Sequence, residues 1–435
     1  MAETPATLDY AAARSTRQTG RAVLFVTGGR ITLQGAWFVA TMLLARVLGP
    51  PAFATYTLAT KAIQIFTDCF GDPLDMAVMR EAPLHLRSDR RAALDVIRSA
   101  FWMRVAMGML SIAFAAALPW VAATVIFGSA DHPRLAVATA VGILGDLLLR
   151  SSLGYFQVSG RFRSFLIVDA VWQLGRAAGI AALFALRVLT ARTSVELYVT
   201  MPFIAFAAAI LLLPSDVLKP AFPSPSKAAQ IFHYGKWMTA ATTMTALYER
   251  LDIFLLTWLR GRPIAGIYAG ALALAMIPDF LNSCIQTVLG PKVAPAQADG
   301  QFPQLQRHYL AIAIPLGAIA AIVAVVAAGP ILRTILSAQF AGSITPFRIL
   351  ILSTIFNVVF TPLPMALLSF VAPRKMTLLT AVGLALVAGG GVAVIPRFGA
   401  SGAAAVMLAV RTIVGIAVIA MARQLKSPCT SVIIR

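Results

Sequence analysis

The sequence predicts an all-α polytopic membrane protein of about twelve transmembrane helices, arranged as two pseudo-symmetric six-helix lobes. Three observations carry that prediction. Hydrophobic residues make up 59% of the 435-residue chain and charged residues only 12%, with a mean hydropathy of +0.83. A soluble domain carries about 25% charged residues, so this chain cannot keep a globule of its size wetted. Its apolar residues also come in runs of about 20, the length a helix needs to cross a hydrocarbon core about 30 Å thick. Finally, a stretch near residue 50 recurs half a chain later.

The elements follow in order. The opening MAETPATLDYAAARSTRQTGR is polar and contains no apolar core or cleavage site of the signal-peptide kind, so residues 1–21 are expected as a cytoplasmic segment. Six spans then form an N-lobe over 22–213, at 22–44, 52–74, 100–127, 135–157, 164–186 and 196–213. Pro202 and Pro214 crowd the sixth. Residues 214–236 read as a cytoplasmic linker. A C-lobe over 237–423 holds spans at 237–258, 264–289, 309–332, 346–370, 376–395 and 400–422, and 424–435 form a tail. Pro73, Pro278, Pro315, Pro362 and Pro364 lie in or at the ends of spans. Neighbouring helices can satisfy the backbone groups that such prolines free.

Orientation follows from the short connections. With the N-terminus inside, the basic residues between Arg80 and Arg98, with Lys219, Lys227, Lys236, Arg374 and Lys375, are cytoplasmic; they outnumber Arg134, Arg187, Arg192, Arg260 and Arg262 and their neighbours on the other side. Both termini are therefore expected in the cytoplasm of a multi-pass protein of the bacterial inner membrane. The 36 Lys+Arg against 17 Asp+Glu fall in gaps between apolar runs, which argues for membrane topology and against nucleic acid.

Motifs for catalysis are missing. There is no P-loop, Gly-x-Ser-x-Gly, His-Glu-x-x-His or Rossmann fingerprint, so the chain is read as a non-enzyme without a cofactor or metal. Cys69, Cys284 and Cys429 are too scattered for a disulfide frame. The four histidines, His85, His132, His233 and His308, fall in connections, and Gly389 to Gly391 suit close helix packing.

LLARVLGPPAFATYTLA (43–59) aligns without gaps with LLTWLRGRPIAGIYAGA (255–271). Leu43/Leu255, Leu44/Leu256, Gly49/Gly261, Pro51/Pro263, Tyr56/Tyr268 and Ala59/Ala271 match at an offset of 212 residues. Each copy reads as a helix, a Gly/Pro turn and a second helix opening with a tyrosine. Parallel repeats of six spans place a cavity between two lobes that rock about it.

These stretches resemble the bacterial polysaccharide flippases of the multidrug/oligosaccharidyl-lipid/polysaccharide exporter superfamily. The Arg-x-Leu-Gly-Pro turn leading to a tyrosine is matched by Arg46, Leu48, Gly49, Pro50 and Tyr56; the later Arg-x-Asp and Gly-x-Tyr are matched by Arg250, Asp252, Gly266 and Tyr268. Ala54 departs from the glycine usual in the first half. The resemblance implies moving an undecaprenyl-diphosphate-linked oligosaccharide from the inner to the outer leaflet, for lipopolysaccharide, exopolysaccharide or capsule synthesis. It implies work as a monomer among membrane lipids, with a polysaccharide polymerase and glycosyltransferases as partners.

Charges inside apolar runs mark the site candidates, because a charge at mid-bilayer costs roughly 2.5–3.5 kcal/mol on insertion scales and faces a cavity or a partner. A diphosphate suits guanidinium forks, which assigns the headgroup to Arg30, Lys61 and Arg250. Asp146 and Arg150 stand one turn apart, and Asp169, Gln173 and Arg176 form a stripe at i, i+4 and i+7. Both sets also fit structural pairs that lock neighbouring helices. Gln34, Arg150, Gln173 and Arg176 are expected to line the polar cavity. Glu249 and Asp252 share a face at i, i+3 if span 7 is one helix, and with Asp146 and Asp169 they are the candidates for coupling H+ or Na+. Asp68, Asp72 and Asp75 are read as neutralising the basic 80–98 connection, and Arg411 stands nearly alone in the last span. Two other classes share some of these features. An ion-coupled small-molecule or drug antiporter of the superfamily would have the same architecture but no need of buried bases. A membrane polymerase or glycosyltransferase would need a long exoplasmic loop, whereas the long connections, 75–99 and 214–236, read as cytoplasmic.

Overall fold

The computed structural model describes residues 5–86, 90–219, 240–279, 281–282, 285, 289, 293, 296–297, 299–371 and 373–424, with side chains from Leu33 onward except over 80–92 and 369–373. The described elements are helices, with no strand among them.

Helix α1 (Pro5–Leu86) carries the first two spans in one run, bent at Gly49. It is helical from Pro5, so most of the segment read as a polar lead-in extends the first helix; its alanines favour that state. The third span divides into α2 (Arg90–Ala117) and α3 (Pro119–Phe127). Pro119 cannot donate to the preceding turn but suits a first helical turn. The N-lobe closes with α4 (Pro133–Val158), α5 (Phe162–Ala185) and α6 (Ala191–Ile210), followed by a 3-10 turn, Ser215–Leu218.

Span 7 is helical over 240–248, turns at 249–250 and resumes as α7 (Leu251–Arg260). Then come α8 (Arg262–Ala275), α9 (Phe302–Val326), α10 (Ala328–Ile335), α11 (Ile344–Phe360) and α12 (Pro362–Val371). The last two spans form α13 (Pro373–Gln424), bent at Gly399. Most of the 214–236 linker and the 425–435 tail lie outside the described residues.

The repeat is visible in the backbone. Gly49 has φ 70° and ψ 172°, and its counterpart Gly261 has φ 80° and ψ 169°. This region is essentially closed to residues with a Cβ, which is why both copies of the turn carry glycine. The paired tyrosines, Tyr56 and Tyr268, are both buried.

Within the N-lobe α4 packs on α1, α2 and α6, and in the C-lobe α13 packs on α7, α11 and α12. The lobes meet chiefly where α8 lies along α1. A Cβ on Gly266 would stand 1.8 Å from the Pro50 carbonyl oxygen, so the lobes approach here to backbone distance. Ala54, the position that departs from the motif, is fully buried with its methyl group accommodated. Around this Gly49 end Arg46 donates to the Thr334 carbonyl (3.0 Å) and the Trp258 indole to that of Val125 (2.9 Å), both across the lobes.

The outer surface is apolar, as a bilayer requires. The 18-residue window that marks α9 as a span contains no buried residue, and Leu316, Ile319, Ile322 and Val326 all point outward. The protein is a multi-pass membrane protein.

Candidate functional site

Between the lobes, one carboxylate holds two arginines. Asp68 Oδ1 accepts from Arg150 Nη2 of α4 at 2.7 Å, and Asp68 Oδ2 from Arg250 Nη2 of the C-lobe at 2.6 Å. Arg150 also donates to Asp72 (3.0 Å) and, one turn back on its own helix, to Asp146 (3.0 Å). Asp68 and Arg250 are mostly buried, with side chains 16% and 15% exposed. Short contacts between ionised groups are the strong kind of hydrogen bond, and at this depth the loss of one partner leaves the other's charge uncompensated.

The cluster continues through Asp75, which accepts from the buried Arg104 at 2.6 Å. Arg104 also reaches the Gly71 carbonyl (2.9 Å) and Ser151 Oγ (3.1 Å). Asp68, Asp72 and Asp75 therefore hold arginines inside the lobes; the side chains of Arg80, Arg87, Arg90 and Arg91, which they were expected to neutralise, lie outside the described residues. Arg98 of that connection instead bonds the Asp216 carbonyl (2.5 Å) and lies 3.5 Å from Asp95. The signal was present: Lys61, Asp68, Asp72 and Asp75 recur at helical spacing on one face of α1. Arg104 gave none, since no acid lies within a turn of it.

Of the three headgroup candidates, Arg250 is in the cluster with its buried Nε unpartnered. Lys61 stands two turns along α1 from Asp68, about 10 Å, and donates to Gln64 (3.2 Å). Arg30 lies on α1 four residues before Gln34, and its side chain is outside the described residues. Gln34 is half-buried.

The expectation that Glu249 and Asp252 share a helical face is corrected, because the turn at 249–250 separates them. Asp252 restarts the helix: its Oδ1 accepts from the Ile253 amide (2.8 Å) and its other oxygen from the Tyr268 hydroxyl. An acid in a first turn is favoured by the free amides and the helix dipole. Glu249 remains half-exposed, 4.0 Å from Arg250. It borders a cavity of about 140 Å³ with Tyr248, Asn282, Asn357 and Arg411. Arg411, read as nearly alone, donates to Thr354 Oγ1 at 3.3 Å.

In α5, Asp169, Gln173 and Arg176 are all buried, and Arg176 donates to Gln173. At the Gly49 end Arg262 bonds His132 and lies 3.5 Å from Asp131, joining the C-lobe to the α3–α4 connection beside an open recess of about 800 Å³. Burial and the nearby Arg262 charge lower the His132 pKa from its ordinary value. No group of three or more potential metal ligands occurs among the described residues.

Comparison with solved structures gives the same architecture. An inward-facing multidrug resistance MATE family transporter of the MOP superfamily matches with a TM-score of 0.74 at 12% identity, over 92% of this chain and 97% of that one. Lipid II flippase MurJ in an inward closed conformation matches with a TM-score of 0.70 at 10% identity, over 94% and 87%. A MOP superfamily transporter from Pyrococcus furiosus matches with a TM-score of 0.66 at 12% identity, over 93% and 95%. These likenesses establish the fold. No curated protein matches the sequence. The family model described as polysaccharide biosynthesis protein matches residues 43–345, a region that takes in both copies of the Gly/Pro turn and the whole inter-lobe ion cluster. The chain belongs to that polysaccharide biosynthesis family, built on the fold of the MOP transporters.

Proposed function

We propose that this membrane transporter moves an undecaprenyl-diphosphate-linked oligosaccharide from the inner to the outer leaflet of the bacterial inner membrane, by alternating access of its two lobes. In this reading both termini are cytoplasmic and the tightly packed Gly49 end is exoplasmic, so substrate enters from the Asp75 end. Residues 22–213 and 237–423 act as the two moving lobes, with 214–236 as the linker between them.

The observation that carries the proposal is the Asp68 bridge. One acid joins an N-lobe arginine to a C-lobe arginine, and Arg250 has a buried N–H to spare. A diphosphate offers the same anionic oxygens as Asp68. Headgroup binding at Arg250, with Arg30 and Lys61, would compete for that arginine and loosen the bridge, giving substrate a differential affinity for the two lobe arrangements. Without such a difference a ligand shifts no equilibrium. Asp252, Asp146, Asp169 and Glu249 are the acids to which coupling of H+ or Na+ is assigned. The polysaccharide biosynthesis family and the spare buried N–H of Arg250 favour a lipid-linked anion over a drug cation, which is the antiporter alternative.

The test uses the full chain in proteoliposomes loaded with undecaprenyl-diphosphate-linked disaccharide. Translocation is read as the fraction of sugar that becomes accessible to an impermeant oxidant. Wild type should move it, and Arg250→Gln should lose most of the rate. Export of ethidium against a pH gradient, with no movement of the lipid-linked sugar, would replace this proposal with the antiporter.

A further inference from the structure

Arg176 of α5 is 4% exposed, and its guanidinium lies between two indoles, 3.9 Å from the Trp37 ring and 4.1 Å from that of Trp172. Tyr198 closes a third side at 5.2 Å, with Tyr56 edge-on to it at 6.2 Å. Aromatic faces attract a cation but do not neutralise it. Among the described residues Arg176 has no carboxylate in salt-bridge reach, and its one hydrogen bond goes to the neutral Gln173.

The same place collects orphaned polar atoms. Arg176 Nε, Trp172 Nε1 and the Tyr56 hydroxyl are all buried without a hydrogen-bond partner. The first two can only donate, and the third can donate. A buried donor left unmade is costly, so three in one cluster beside a cation that no carboxylate contacts directly call for an anionic acceptor. Three aromatic rings crowd the guanidinium, which leaves its free N–H edge to be met by an acceptor.

We infer that this box in the N-lobe is a subsite for a carboxylate-bearing sugar of the transported glycan, an inference that rests on the proposed function. The carboxylate meets the Arg176 edge, and the surrounding rings offer apolar faces to the sugar. The placement suits a glycan whose headgroup is held nearby. Arg30, Gln34 and Trp37 follow one face of α1 at i, i+4 and i+7, so Trp37 stands about 10 Å along the helix from Arg30. A diphosphate held at Arg30 leaves the adjoining sugars within reach of Arg176.

The experiment measures binding to full-length protein in nanodiscs by calorimetry, with intrinsic tryptophan fluorescence as a second signal. The probes are a disaccharide ending in glucuronic acid and its neutral glucose-terminated counterpart. Wild type should bind the acidic probe at least about tenfold more tightly, the scale of one charged contact. Arg176→Gln should bring the acidic-to-neutral ratio to about one. Tyr56→Phe and Trp172→Phe, which keep an aromatic ring, should reduce the ratio and decide the matter if Arg176→Gln is not recovered from membranes. Equal affinities in wild type, or a preference that survives all three substitutions, would overturn the subsite. So would competition by chloride or acetate as effective as that by free glucuronate, since it would show a general anion site. A companion assay with acidic and neutral lipid-linked oligosaccharides separates the two ideas. Movement of both at equal rates removes only the subsite, whereas movement of neither removes the proposed function.

Discussion

Replacing Asp68 with asparagine should free the lobes from one another while leaving each intact. Asp68→Asn keeps the shape and removes the charge that Arg250 and Arg150 meet at 2.6 and 2.7 Å. Arg150 retains Asp72 and Asp146, both at 3.0 Å, so the N-lobe loses little. Arg250 keeps the Ala246 carbonyl, at 3.2 Å, and Glu249, at 4.0 Å and half-exposed. Breaking a buried ion pair costs roughly 3–5 kcal/mol, but this one retains some solvent and a substitute acid. A charged hydrogen bond of about 1.5–3 kcal/mol is the better measure. If the bridge forms only when the lobes are together, their equilibrium should shift about 10- to 150-fold toward separation. Spin labels at Arg163→Cys and Lys375→Cys, at the Asp75 end of each lobe and in a background lacking the native cysteines, would report it as a longer distance distribution. Asp68→Glu should restore the shorter one. The double variant with Arg250→Gln should be strongly non-additive, because both changes delete one contact. An unchanged distribution in Asp68→Asn, or additive effects in the cycle, would refute the bridge.

Other consequences can be checked separately. Gly266→Ala should prevent close apposition of α8 and α1, since its Cβ would overlap the Pro50 carbonyl, and should lower the unfolding temperature in detergent sharply; Gly35→Ala, with open space around it, should be near neutral. Arg104→Gln removes the arginine from Asp75, whose side chain is 22% exposed, and should cost about 1.5–3 kcal/mol, read as loss of folded protein in a denaturant titration. His132 has a lowered pKa, so the folded state favours its neutral form, and the contact with Arg262 is present above the ordinary histidine pKa and lost as pH falls below it. Cross-linking across the Gly49 end should therefore hold down to about pH 6.5 and drop below it, and His132→Gln should abolish that dependence. Asp252→Asn should weaken the response of transport to an imposed pH or sodium gradient more than it weakens substrate binding; an unaltered response in proteoliposomes would leave Asp252 as the helix-starting partner of Tyr268.

Much of the architecture was legible in the linear chain, because it depends on quantities that are local. Span length follows from apolar runs, and the repeat follows from Gly49 and Gly261, whose shared backbone geometry only glycine can adopt. The Asp146–Arg150 pair was legible for the same reason, as a four-residue spacing on a helix is already a contact. The tertiary structure alone decided which acid faces which base across helices. Asp68 lies 82 residues from Arg150 along the chain, and only the packing of α4, α1 and the C-lobe brings both arginines to it. Arg104 had no sequence signal because its partners come from other helices. The turn at 249–250 was hidden because no glycine or proline marks a break between Trp237 and Arg260. The aromatic box around Arg176 draws on α1, α5 and α6 at once. Helix rotation and depth set such meetings, and those are fixed by the fit of many side chains together rather than by any one stretch of sequence.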